Sequence, residues 1–187
     1  MYLDEFKEAI KRSHKFELTV PKIDFTEKGL LTEKVNSEIP HLLLEKIGKI
    51  NPEKVFAQCF AFHHFTQNIF EEYFNVPITY TIGWVYEPPN SYFKKTEEQL
   101  FQMLKSGPES MQINLHAWLT LPSMEIIDLT LPTTVAVARG QVDSFGGAIS
   151  GHPDQFTGGL KYHPMLVGDD FLRKIGVLID LPIIQFI

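Results

Sequence analysis

One cysteine, Cys59, is all the thiol the chain holds. A disulfide within the chain and a zinc site built from several thiolates are therefore excluded. No apolar run approaches the roughly 20 residues a membrane helix requires, so no membrane is expected as a partner. No stretch is dominated by Lys and Arg, and the net charge is −6. A nucleic-acid backbone is accordingly not the expected ligand. The opening segment "MYLDEFKEAIKRSHKF" is charged and amphipathic, unlike a secretory signal, and a cytoplasmic location is the expectation. Repeats, low-complexity tracts and linkers are also lacking. What is plentiful is phenylalanine, 15 of 187 residues. A chain of this length is expected to form one domain, residues 1–187, around a ring-rich core.

Read along the chain, the first part is helical. Leu3, Phe6, Ala9 and Ile10 form one apolar stripe. Ser37 is a plausible N-cap for a helix through "HLLLEKIGKI". Asn51-Pro52-Glu53 opens a further helix running through "EKVFAQCFAFHHFTQNIFEEYF", and Pro77 ends it near Asn75. From Ile78 the character changes. "ITYTIGWVY" reads as a strand, "EPPNSYF" as a loop, and "TEEQLFQMLKSG" as a short helix stopped by Gly107. "TTVAVA" reads as another strand, and the glycine-rich stretch from Gly140 to Gly159 as a long surface loop. "KYHPMLVGDDFLRKIG" predicts a strand, an Asp-capped helix and a Gly stop, with "LPIIQFI" as a last strand. The order predicts an α+β fold, N-terminal helices packed on an antiparallel sheet.

"LHAWLTLPSMEIIDLT" reads as a hairpin, each strand carrying one unusual residue, His116 and Asp128. A three-residue loop, Pro122-Ser123-Met124, sets Leu121 against Glu125. Asp128 then lies opposite Trp118, and His116 opposite Thr130. All four share one face, and His116 and Asp128 are diagonal neighbours, roughly 7–8 Å apart along the backbones. A two-residue loop would turn the carboxylate to the other face. A carboxylate that orients an imidazole leaves the second ring nitrogen free to act as a base. Cys59 is the thiol such a pair could serve. A helix start and a nearby imidazolium both favour the thiolate, the form that attacks an acyl carbon. The Asn51-Pro52 signal, however, starts the helix well before Cys59. Activation then falls mainly to His116 unless a break lies near Ala57-Gln58.

The ordered set resembles the transglutaminase-like superfamily, whose catalytic logic is that of papain-like cysteine proteases. "AQCFAFHHFTQNIFEEYFNVPITYTIGWV" is similar to that family's nucleophile helix and following strand, "HAWLTL" to its histidine strand, and "IIDLT" to its aspartate strand. The likeness runs over about residues 57–130. It implies a transglutaminase-like core at about 51–138, between a helical part at 1–50 and a C-terminal extension at 139–187. It also implies a Cys59–His116–Asp128 triad acting on a protein, peptide or small amide or ester, with no cofactor. Gln58, His63 and Trp118 stand as supporting or substrate-binding residues. The family's Gly two before the Cys is Ala57 here, and the aromatic directly after it is Phe60 rather than Trp. Residues 86–113 look like an insertion able to cover the cleft. With no Trp before Cys59, backbone N–H groups, including that of Cys59, would have to stabilise an oxyanion.

Each residue also has a structural reading. Cys59 suits a buried small hydrophobe, His116 a structural strand residue, and Asp128 the start of a turn. Three function classes follow: a cysteine-dependent acyl-transfer enzyme (hydrolase, deamidase or transglutaminase-like), a non-catalytic binding module that keeps the fold, and a metal-dependent hydrolase. The last would draw on His116, Asp128 and one of His63, His64, His152 or His163. His63 lies one helical turn past Cys59 and is placed to line the same cleft. Oligomeric state has no signature in the sequence.

Overall fold

In the computed structural model, which describes residues 1–49, 58–108, 113–141 and 146–179, the chain opens with α1, Tyr2–Lys15. Asp4 and Glu5 in its first turn and Arg12, His14 and Lys15 in its last both suit the helix dipole. Its buried face is Tyr2, Phe6, Ala9 and Ser13. Helix α2, Glu33–Ile47, is capped by Thr32, whose hydroxyl accepts the Val35 N–H at 3.3 Å. The expected cap, Ser37, lies inside the helix instead. It bonds back to the Lys34 carbonyl at 2.7 Å, the local alternative open to a short hydroxyl.

Helix α3 spans Cys59–Phe74 and ends on Asn75 in the left-handed conformation, as Pro77 demanded. The expected helical run from Asn51 falls on residues 50–57, outside the described residues. Within the described chain the helix starts at Cys59. Then follow β1 (Thr79–Glu87), β2 (Asn90–Tyr92) and α4 (Glu97–Ser106). A capping box of Thr96 and Gln99 begins α4. "EPPNSYF" is thus the turn and second strand of a hairpin, because Asn90–Tyr92 find partners in Val85–Glu87. Next come β3 (His116–Thr120), β4 (Ile126–Asp128), α5 (Leu131–Arg139), β5 (Ile149–Gly151), β6 (Lys161–Val167) and α6 (Asp170–Lys174).

Two further sequence expectations are corrected. "TTVAVA" lies in helix α5, not a strand. Pro132 fits the first turn, Gly140 closes the helix in the left-handed conformation, and Asp128 Oδ1 accepts the Thr130 and Leu131 N–H groups at its start. Both edges of β4 are already taken by β3 and β5, which leaves a further strand there no partner. The expected loop from Gly140 to Gly159 contains β5 and a short 3-10 turn, Pro153–Gln155. The last strand expected at "LPIIQFI" lies outside the described residues.

The sheet is antiparallel and curled, with β1 as its hub. Strand β6 runs along Thr81–Tyr86, while β3 takes Thr79–Gly83 and β2 takes Val85–Glu87 on the other edge. The sheet then continues through β4 to β5. Alternation sorts its side chains into two cores. Ala117, Leu119, Ile82 and Ile127 pack with Phe70 of α3, Leu100 of α4 and Phe171 of α6. Trp118, Val85, Ile126 and Tyr162 pack with Tyr2 and Phe6 of α1. Each fully buried large side chain contributes roughly 1.5–3 kcal/mol, so both faces are well anchored. Gly83 marks the tightest contact. A Cβ there would stand 2.2 Å from the His163 carbonyl oxygen and 2.6 Å from the Trp118 ring, where β1 bulges against β6.

Candidate active site

The hairpin register is the one a three-residue loop requires. Leu119 pairs with Ile127 and Thr120 with Ile126. The Leu121 N–H donates to the Glu125 carbonyl at 2.8 Å, and Met124 takes the left-handed conformation that closes such a loop. His116 and Asp128 therefore share a face, and Oδ2 of Asp128 lies 2.6 Å from Nε2 of His116. That bond commits Nε2 to the carboxylate and leaves Nδ1 as the free ring nitrogen. The Cys59 side chain reaches the imidazole closely enough to act on its protonation by hydrogen bonding and by charge. Cys59 Sγ also lies 3.9 Å from the Leu115 carbonyl oxygen. Thiol, imidazole and carboxylate, remote in sequence, meet at one point.

Asp128 is held by five donors. Its Oδ2 accepts from His116 and from the Tyr162 hydroxyl at 2.9 Å. Its Oδ1 accepts from the N–H groups of Thr130 and Leu131, both at 3.0 Å, and from the Thr130 hydroxyl at 3.3 Å. Burial would raise its pKa, but the charge and hydrogen bond of His116, with help from His63 and Thr130, hold it well below the usual carboxylate range. His116 shows the converse. Burial alone lowers an imidazole, yet the Asp128 charge and hydrogen bond, with the Cys59 side chain, push it up to about 10. Burial and the Asp128 charge raise the Tyr162 phenol well above its ordinary value, which keeps it a hydrogen-bond donor.

Cys59 is the first residue of α3. Among the described residues no side chain caps the helix start and no acidic residue lies in its first turn, so no neutralising charge stands at the thiol end. Of the supporting residues, Gln58 precedes the helix and is exposed. His63 is fully buried: its Nδ1–H donates to the Cys59 carbonyl at 2.9 Å, and its Nε2 accepts the Leu129 N–H at 3.0 Å. Trp118 lies 6.0 Å from the His116 ring, between centroids, but is sealed from solvent. Its indole N–H donates to the Tyr2 hydroxyl at 2.8 Å. Trp118 thus packs near the imidazole inside the closed core.

Two further residues join the site. Phe93, just past β2, stacks on the His116 ring at 5.1 Å with 20° between planes. It holds a left-handed backbone, φ 64°, that a non-glycine residue rarely adopts. Tyr162 reaches Asp128 from β6. Neither has a signal in its local sequence, because each arrives by sheet pairing. Cys59 is 7% exposed, His116 1% and Asp128 0%. The remaining histidines sit elsewhere. His64 faces Asp169, His152 accepts the Asp154 N–H, and His163 stacks on Trp84 while bonding Glu5. Among the described residues no group of three or more His, Cys, Asp or Glu side chains is arranged to hold a metal ion. Comparison with family models, with curated proteins and with solved structures found no match.

Proposed function

We propose that this chain is a cysteine-dependent acyl-transfer enzyme acting on an amide or ester carbonyl of a protein, peptide or small molecule. The observation that carries this reading is the His116 ring bonded to the Asp128 carboxylate, with the Cys59 side chain near enough to act on its protonation. A nucleophile at a helix start, facing histidine and aspartate on neighbouring antiparallel strands, also supports a transglutaminase-like core. In the proposed cycle the proton shared by the Cys59–His116 pair rests on His116 as imidazolium, and Cys59 Sγ attacks the carbonyl carbon. Backbone N–H groups of the uncapped first turn of α3 offer donors for the oxyanion. Collapse breaks the acyl bond, His116 returns the proton to the leaving amine or alcohol, and a thioester remains on Cys59. Water or an amine, deprotonated by His116, then takes the acyl group.

The test is the pH profile of Cys59 alkylation by iodoacetamide, since an ordinary thiol reacts only as pH approaches about 8.5. Rapid alkylation persisting below pH 7, lost in His116→Ala, supports the enzyme. Equal profiles in the two proteins would sink it. A non-catalytic binding module is the second reading, and the burial of all three groups favours it. On that reading the two profiles coincide.

A further inference from the structure

We infer that His63 is a positioning residue, a neutral clamp that sets the Cys59 end of α3 against the strand carrying Asp128; this rests on the acyl-transfer reading above. The two hydrogen bonds leave only one protonation form. A carbonyl oxygen can only accept, so the bond to Cys59 O requires Nδ1–H. A backbone N–H can only donate, so the bond from Leu129 requires a bare Nε2. The ring is fully buried, and burial pushes it down to about 4, against the opposing pull of Asp128. It therefore stays neutral at pH 7. Nε2 is also 3.6 Å from Asp128 Oδ1, and the ring stands edge-on to His116 at 6.4 Å. That lone pair is spent on Leu129, so His63 is neither a base for Cys59 nor a metal ligand in this arrangement.

What His63 joins gives the clamp its consequence. One arm holds the backbone of the residue that carries the thiol. The other holds the residue next to the acid, and Asp128 in turn holds His116. No other side chain bonds both segments among the described residues. The gap between sulfur and imidazole therefore depends on a ring that touches neither reacting atom. A misplacement of about 1 Å in such a constellation can cost on the order of 10²-fold.

Three variants separate the arms. His63→Asn places an amide N–H near the Nδ1 position and can keep the Cys59 bond. His63→Gln places an amide oxygen near Nε2 and can keep the Leu129 bond, and His63→Leu keeps neither. Each is assayed as folded protein, by circular dichroism and thermal melt, for iodoacetamide alkylation of Cys59 from pH 5 to 9. The expected result is that His63→Leu loses the His116-dependent reactivity below pH 7 about as fully as His116→Ala does. One or both amide variants are expected to recover part of it. Should His63→Leu not fold, the amide variants alone decide, and an unchanged profile in both overturns the clamp. A lowered melting temperature with an unchanged profile is the mark of a merely structural ring and overturns it too. Identical wild-type and His116→Ala profiles would instead overturn the acyl-transfer reading, so the two failures are told apart.

Discussion

Replacing Asp128 by Asn tests the carboxylate with little change of shape. An Asn side chain keeps an oxygen for the Thr130 and Leu131 N–H groups, so the start of α5 survives. Its NH2 then faces Nε2 of His116 in place of Oδ2. Such a group donates, so Nε2 must accept, and the ring proton is driven to Nδ1. The charge that offsets burial is lost at the same time. In the wild type His116 is pushed up to about 10, so at pH 7 imidazolium outweighs imidazole by about a thousandfold. Without Asp128, burial dominates and the neutral ring wins at the same pH. The change exceeds three decades, roughly 4 kcal/mol of imidazolium stabilisation at about 1.4 kcal/mol per decade. An ordinary thiol is only about 0.3% ionised at pH 6. Iodoacetamide alkylation of Cys59 at that pH is therefore expected to slow by about 10²-fold in Asp128→Asn. A rate within a factor of about three of wild type, in protein folded by circular dichroism, would refute the coupling of Asp128 to the thiol through His116.

Truncation of Phe93 to Ala is expected to uncover the imidazole and speed Cys59 modification, more for a bulky maleimide than for iodoacetamide; equal acceleration by both, or none, would show that Phe93 does not guard the thiol. Folding stability, followed by denaturant melts across pH, is expected to fall on both sides of a maximum near pH 6.5. His116 is raised in the fold, so its contribution is whole below 6.5 and is lost as pH climbs through about 10. His63 is lowered, with Asp128 and His116 facing it. The unfolded chain therefore binds its proton first, and stability drops by roughly 3 kcal/mol between pH 6.5 and about 4. Asp128, also lowered, extends that loss at pH values below the ordinary carboxylate range. An acid limb that stays flat down to pH 4 would contradict the buried neutral His63. Gly83→Ala is expected to cost roughly 1–3 kcal/mol through overpacking against the His163 backbone. That corresponds to a melting temperature lower by roughly 2–12 °C; an unchanged melting temperature would mean that the bulge in β1 yields freely.

The parts of this fold that could be read early are those fixed by local chemistry. The period of two and the Pro122-Ser123-Met124 loop set the hairpin register, and with it the meeting of His116 and Asp128. What could not be read depends on partners remote in sequence. The run Thr133 to Val137 is β-branched but for Ala136 and favours a strand on propensity alone, yet both edges of β4 were occupied and Asp128 accepts the N–H groups that open a helix. Phe93 and Tyr162 reach the site only because β2 and β6 flank β1. The Leu129 arm of His63 is a backbone amide, a group every residue except proline has, so no sequence pattern announces it. Asp128 shows why the bland and the chemical readings of one residue need not compete. Its Oδ1 begins α5 by accepting two backbone N–H groups, while its Oδ2 orients the imidazole. The turn-starting role anchors the carboxylate rigidly, and that rigidity is what a carboxylate needs to hold a histidine in one tautomer and one direction.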